Sequence, residues 1–233
     1  IASTLEEARD LIARADAAAR VLQVGHIERF NPAVRACEPY LERPLFVESH
    51  RLAPFGRRGT DVAVVLDLMI HDIDLVLSLV HGDIVSVTAV GVPVLTRTVD
   101  IANARIEFAN GAVANITASR VSVERQRKIR FFQPSGYLSL DLAEGRGRFY
   151  RRKRPTPPAD PVLAWADVVE AVEIVGDRRE PLRLEMESFL RAVRGEAPPA
   201  VTAAEGLRAL EVALRIVRTI EERLRRVVDP AAT

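Results

Sequence analysis

An internal disulfide is excluded, because Cys37 is the only cysteine. A lone thiol suits a reducing compartment, so the cytoplasm is the expected location. Long hydrophobic runs are missing as well: none is long and charge-free enough to span a bilayer, and the amino end has no signal-peptide pattern. Neither sign of charge dominates. A net charge of +1 argues neither for a general nucleic-acid binder nor for a specialist for acidic partners. No G-x-G-x-x-G, Walker loop or G-x-S-x-G occurs, so the chain offers no recognisable phosphate cradle or nucleophile elbow. His26, His50, His71 and His81 are dispersed, and no metal site is expected from them. There is no internal repeat, and the one biased tract, the proline-rich stretch at 155–161, reads as a loop.

What is present is apolar and patterned. Hydrophobic residues make up 48% of 233, enough for one domain, or one and a fraction, with a sizeable core. The organising stretch is residues 60–80, TDVAVVLDLMIHDIDLVLSLV, apolar at nearly every helical angle and therefore read as a helix buried on most sides. At about 100° per residue, Asp67, His71, Asp74 and Ser78 share one stripe, whereas Asp72 points away. A carboxylate one turn before an imidazole reads either as a satisfied polar seam or as a proton-handling site. Burying such groups among aliphatics costs several kcal/mol unless they are paired. A metal-phosphohydrolase reading of His71 with Asp72 is weaker, since Asp72 leaves the stripe and no second helical histidine joins it.

Before that helix, Ser3 with Glu6 or Thr4 with Glu7 forms a capping box for a helix ending near Ala18. Residues 20–25, RVLQVG, read as a buried strand of a parallel sheet. A helix feeding a strand with no partner before it suggests a sheet whose earlier strands lie outside the chain, and an opening Ile1 instead of Met agrees with a fragment. Glu28 and Arg29 follow at the carboxyl end of that strand, the favoured place for ligands in an α/β sheet. Asn31 caps a helix with Pro32 at its first position, running to about Leu41. A strand is expected at 45–52 and a loop at 54–59.

From Ile84 the period changes to two. Strands are expected at 84–93, at 101–108 and 112–120 around the hairpin signal Asn110-Gly111, at 128–133, 137–142 and 148–152, and near 168–174. Successive strands without helices argue for an antiparallel or mixed sheet with helices on one face. Between 120 and 154, eleven basic residues stand against three acidic ones. That excess reads as a charged, solvated sheet edge rather than a nucleic-acid surface. A helix opens at Pro181 with Leu182, Met186, Phe189, Leu190 and Val193 inward. Thr202 and Glu205 box the start of a long helix whose Leu207, Leu210, Leu214, Val217 and Leu224 form one face. Residues 229–233 read as a frayed tail.

The runs VGHIERFNPAV, DVAVVLDLMIHDIDLVLSL, SRVSVERQRKIRFF and EPLRLEMESFLRAVRGEAPPAV resemble, in order, the Gfo/Idh/MocA family of nicotinamide-dependent oxidoreductases; the most specific element is D-x-x-x-H, here Asp67 and His71. The resemblance implies an α+β fold: an open-faced mixed, mostly antiparallel sheet with helices on one face. Residues 1–25 would be the remnant of a dinucleotide-binding Rossmann domain, and 26–233 the substrate-binding and oligomerisation domain. It implies reversible hydride transfer between NAD or NADP and a hydroxyl carbon of a sugar or sugar nucleotide. The wording is closest to members acting on UDP-N-acetyl sugars, with cyclitols and free sugars open. His71 would be the catalytic base or acid, Asp67 would hold the imidazole or a substrate hydroxyl, Arg29 and Glu28 would line the substrate pocket, and Asp74 would be structural. The family's Glu-Lys-Pro would fall just before Ile1, and Lys128 and Lys153 match nothing catalytic. The chain alone is therefore expected neither to hold NAD(P) tightly nor to turn over. Its expected partners are a small-molecule substrate and further copies of itself, packed through the open sheet face, with no nucleic acid and no membrane. The alternative is a non-catalytic ligand-binding or oligomerisation module.

Overall fold

Eight strands make one sheet in the computed structural model, which describes residues 1–56, 59–154, 164–177 and 179–228. They are β1 Phe46–Leu52, β2 Ile84–Val92, β3 Ile101–Phe108, β4 Val113–Ser119, β5 Gln126–Gln133, β6 Gly136–Asp141, β7 Arg146–Arg152 and β8 Val169–Val175. Their spatial order is β2-β3-β4-β1-β5-β6-β7-β8. Only β1 and β4 pair in parallel, in register from Phe46↔Val113 to Leu52↔Ser119. A parallel pair needs a crossover, and the central helix with β2 and β3 supplies it. The strands expected from residue 45 onward are all there, with ends moved by a residue or two. The proline-rich loop at 155–161 and the tail at 229–233 lie outside the described residues, as do Arg57 and Arg58 of the 54–59 loop.

The helices are α1 Leu5–Ala17, α2 Pro32–Cys37, α3 Ile70–Leu79, α4 Trp165–Val168, α5 Pro181–Val193 and α6 Ala203–Val228. None is long and apolar enough to cross a membrane. The alternation of β1 and β3–β6 sends Val47, Ala104, Ile116, Phe131 and Leu138 to the helix side, where Ile73, Leu75, Ile216 and Ile220 meet them. Thr4 and Glu7 close the expected capping box on α1, and Asn31 caps α2 by accepting from the Ala33 N–H at 3.1 Å. α2 stops earlier than expected. Pro39 has no N–H to continue an α-helix, and the chain tightens into a 3-10 turn, Glu38–Tyr40.

Five expectations are corrected. Residues 20–25 are not a strand of the sheet: the segment makes one isolated antiparallel bridge, Gln23↔Thr202. No described strand lies beside it to complete a ladder. It is held instead by the Val24 N–H on Val201 O at 3.1 Å. The 60–80 helix begins late and wide. Residues Val65–Met69 form a π-helical turn, closed by the Ile70 N–H on Val65 O, before α3 proper. The basic stretch lies on interior strands of the sheet, not at its edge, and register supplies acids from strands outside the counted window. Arg130 pairs with Glu48, Arg148 with Glu173 and Arg151 with Glu170. On α5 the stripe Leu182, Met186, Leu190 and Val193 is exposed, while Leu184, Glu185 and Ala192 are buried. α6 is likewise turned by a fraction: Ala209, Ala213, Ile216 and Ile220 enter the core, and Leu210, Val217 and Leu224 flank a cleft.

Candidate functional site

A cleft of about 750 Å³ lies between the start of the chain, the π turn, the loop after β2 and α6. Val24, Gly25 and His26 bring one wall to it, and Leu66, Ile70 and His71 another. The first wall is fixed by close packing. A Cβ on Gly206 would come within 2.5 Å of Val24 Cγ2, so only glycine lets α6 press against this segment. His26 then leads into the 3-10 helix Ile27–Phe30. The loop after β2 is held by Asp100, whose carboxylate accepts from the backbone N–H groups of Val94, Leu95 and Thr96 at 2.7–2.8 Å and from the Thr96 hydroxyl. Burial alone would raise its pKa, but those donors outweigh it and hold Asp100 down to about 2. Arg120 ties the facing loop, donating to Gly59 O and to Val62 O.

Two buried ion clusters stand behind the cleft. Arg51, on the inward face of β1, forks onto Asp72 at 2.8 and 3.0 Å and donates to Glu28 at 2.9 Å. Arg29 forks onto Asp74 at 2.6 and 2.9 Å and reaches Glu205 at 3.2 Å. Burial opposes charge on each guanidinium, yet the facing carboxylates win and raise both pKa values. Asn31 completes the first cluster by donating to Glu28 at 3.0 Å and to Leu142 O at 2.8 Å.

The sequence-derived site residues separate in space. His71 lines the cleft. Burial lowers its pKa, Arg51 lowers it further, and Asp72, Glu28 and Asp74 pull the other way. Its Nδ1 is sealed from solvent without a partner, which leaves Nε2 to be presented. Asp67 does not hold this ring: no hydrogen bond joins the two among the described residues. In a π turn each residue rotates by less than in an α-helix, so Asp67 is turned away from the flank of His71 that an α-helical pitch would give it. The Asp67 carboxylate lies against Gly59 instead; a Cβ on that left-handed glycine (φ 73°) would meet Asp67 Oδ2 at 2.7 Å. Arg29 and Glu28 are not cleft-lining. Their charges are taken up by Asp74, Glu205, Arg51 and Asn31.

Two residues escaped the sequence reading. His26 is 6% exposed, lines the cleft and has a sealed, unpartnered Nδ1. Its signal was its place beyond residues 20–25, the same argument applied two residues later to Glu28. Arg51 was legible from alternation, because a cation in phase with Val47 and Ser49 faces the core and needs carboxylates there. Among the described residues no three His, Cys, Asp or Glu side chains gather as a metal site.

Comparison with known proteins adds relatives to this geometry. A family model for the GFO/IDH/MocA C-terminal domain matches residues 37–139. UDP-N-acetylglucosamine 3-dehydrogenase of Acidithiobacillus ferrooxidans is 38% identical over 226 residues, taking in 95% of this chain and 69% of the relative. A solved structure of UDP-N-acetylglucosamine 3-dehydrogenase from that organism superposes with a TM-score of 0.86 at 37% identity, covering 95% of this chain and 69% of the other. A putative myo-inositol dehydrogenase from Sinorhizobium meliloti, 22% identical with a TM-score of 0.72 over 94% of this chain and 68% of its own, shares the fold.

Proposed function

The chain belongs to the Gfo/Idh/MocA family, and from that premise we propose that it is the substrate-binding part of an NAD(P)-dependent dehydrogenase acting on a sugar nucleotide, with a UDP-N-acetyl sugar as the substrate to test first. In this reading residues 1–25 close a dinucleotide-binding domain and residues 26–233 form the substrate-binding and oligomerisation domain. The observation that carries it is His71: an imidazole kept uncharged by burial, lining a cleft, with one nitrogen sealed and the other left to meet a ligand.

The cleft suits the reactive end of a nicotinamide cofactor. The orphaned buried Nδ1 of His26 marks a wall built for a ligand, and Leu66 and Ile70 give it apolar surface for a flat ring. When bound, the nicotinamide supplies a carrier for hydride. The chain's own part is proton handling and positioning. His71 Nε2 takes the proton of a substrate hydroxyl or returns it in the reverse direction. Arg29 and Glu28 act indirectly, holding the 3-10 helix that follows His26 through their ion pairs with Asp74 and Arg51. Asp67 shapes the loop at Gly59 rather than the imidazole.

The test uses the protein expressed together with a nucleotide-binding domain, supplied with NAD⁺ or NADP⁺ and UDP-N-acetylglucosamine, and follows the absorbance of reduced nicotinamide. His71→Asn is expected to lower kcat by about 10²–10⁴-fold while calorimetric binding of the UDP-sugar persists. Unchanged turnover in that variant removes His71 from the chemistry. A protein that neither binds nor oxidises any sugar nucleotide, cyclitol or free sugar overturns the dehydrogenase reading.

A further inference from the structure

A histidine that handles protons is ordinarily oriented by a carboxylate or carbonyl on its second nitrogen. His71 has no such group, since its Nδ1 is sealed and unpartnered and Asp67 lies elsewhere. What its ring does meet is His26. The two rings stand edge to face, with centroids 5.9 Å apart and planes at 85°. His26 is itself more than nine-tenths buried, unpartnered at Nδ1, and lines the same cleft.

The surrounding charges are already engaged. Facing His71 are Arg51 from β1, Glu28 from the 3-10 helix, and Asp72 and Asp74 from its own helix; facing His26 are Asp74, Arg29 and the α-amino group of Ile1. Arg51 is forked on Asp72 and bound to Glu28, and Arg29 is forked on Asp74 and bound to Glu205. None of these side chains donates to or accepts from either ring. Packing alone therefore sets the orientation of the His71 ring.

We propose that His26 is the positioning residue of His71, its ring edge-to-face contact holding the imidazole in the orientation that presents Nε2 to the cleft. The pairing stands on geometry, while its catalytic meaning rests on the dehydrogenase reading. A second consequence is coupled titration. Once His71 carries a proton, the charge opposes protonation of His26, and burial acts in the same direction.

Multiple-bond proton–nitrogen correlation spectra of the ¹⁵N-labelled chain across pH read tautomer and charge ring by ring, without cofactor or substrate. In the wild type His71 is expected as a single tautomer with sharp signals. His26→Ala is expected to give mixed tautomers and broadened His71 signals, His26→Phe to restore the wild-type pattern by returning an aromatic edge, and Asp67→Asn to leave it unchanged. An undisturbed His71 in His26→Ala, or an equal disturbance in Asp67→Asn, overturns the proposal. Should His26→Ala fail to fold, His71→Phe decides: the His26 midpoint shifts upward if the rings are paired, and an unchanged midpoint sinks the pairing. Absence of turnover on UDP-sugars would leave these spectra untouched, so the two readings fail separately.

Discussion

Single side chains carry most of what is unusual in this molecule, and two make sharp stability predictions. Arg51 is 4% exposed and holds two buried carboxylates, Asp72 and Glu28. Its replacement would strand both, so Arg51→Met is expected to lower the unfolding free energy by about 3–5 kcal/mol in urea titrations. Asp100 behaves oppositely with pH. Its folded value of about 2 lies below the ordinary 3.8, so its stabilisation is complete above pH 4 and is lost as the pH falls from there through 2. That gap corresponds to about 2 kcal/mol. Asp100→Asn is expected to be less stable than wild type at pH 6 and nearly equal to it at pH 2, by chemical denaturation at both. A constant difference across that range would remove the carboxylate from the acid response. His71 was legible in the sequence because an imidazole among aliphatics stands out. His26 was not, because its importance comes from a ring contact with a residue forty-five positions away.

At the element scale, the π turn and the close approach of α6 place the site. The stripe drawn at α-helical pitch failed at Asp67 because the first turn of the central helix is wider than α. No count of apolar residues reports that local change of pitch. Gly206 offers a test of the other contact. Alanine would gain about 0.5–1 kcal/mol of helix propensity, but the added methyl meets Val24 Cγ2 at 2.5 Å and overpacking costs about 1–3 kcal/mol. The clash should win: Gly206→Ala is expected to lower Tm and to disturb the amide resonances of residues 24–26. A stabilised variant with unchanged resonances would mean that the segment is free to move aside.

Over the whole molecule, one face of the sheet lies under helices, and among the described residues the other meets Trp165 of α4, which packs on Tyr137 and Tyr150. Phe46, Phe132, Tyr137 and Tyr150 stack in sequence across four strands of that second face, at centroid distances of 5.6, 5.2 and 4.7 Å. Arg130–Glu48 and Arg148–Glu173 ion pairs also cross strands of the sheet. We propose this face as the surface through which copies of the chain associate. Tyr137→Lys is then expected to shift sedimentation toward the monomer with the circular dichroism unchanged. A wild type that already sediments as a monomer would dismiss the surface.

The order of elements, the hairpin at Asn110-Gly111, the caps on α1 and α2 and the two-residue period of the strands followed from the sequence, because each depends on neighbours within a few residues. The sheet order, with β1 slotted between β4 and β5, did not. Nor did the partners of Arg29 and Arg51, the exposed face of α5 or the His26–His71 contact. Those depend on which distant surfaces meet, and burial and register are settled only when the chain has closed on itself.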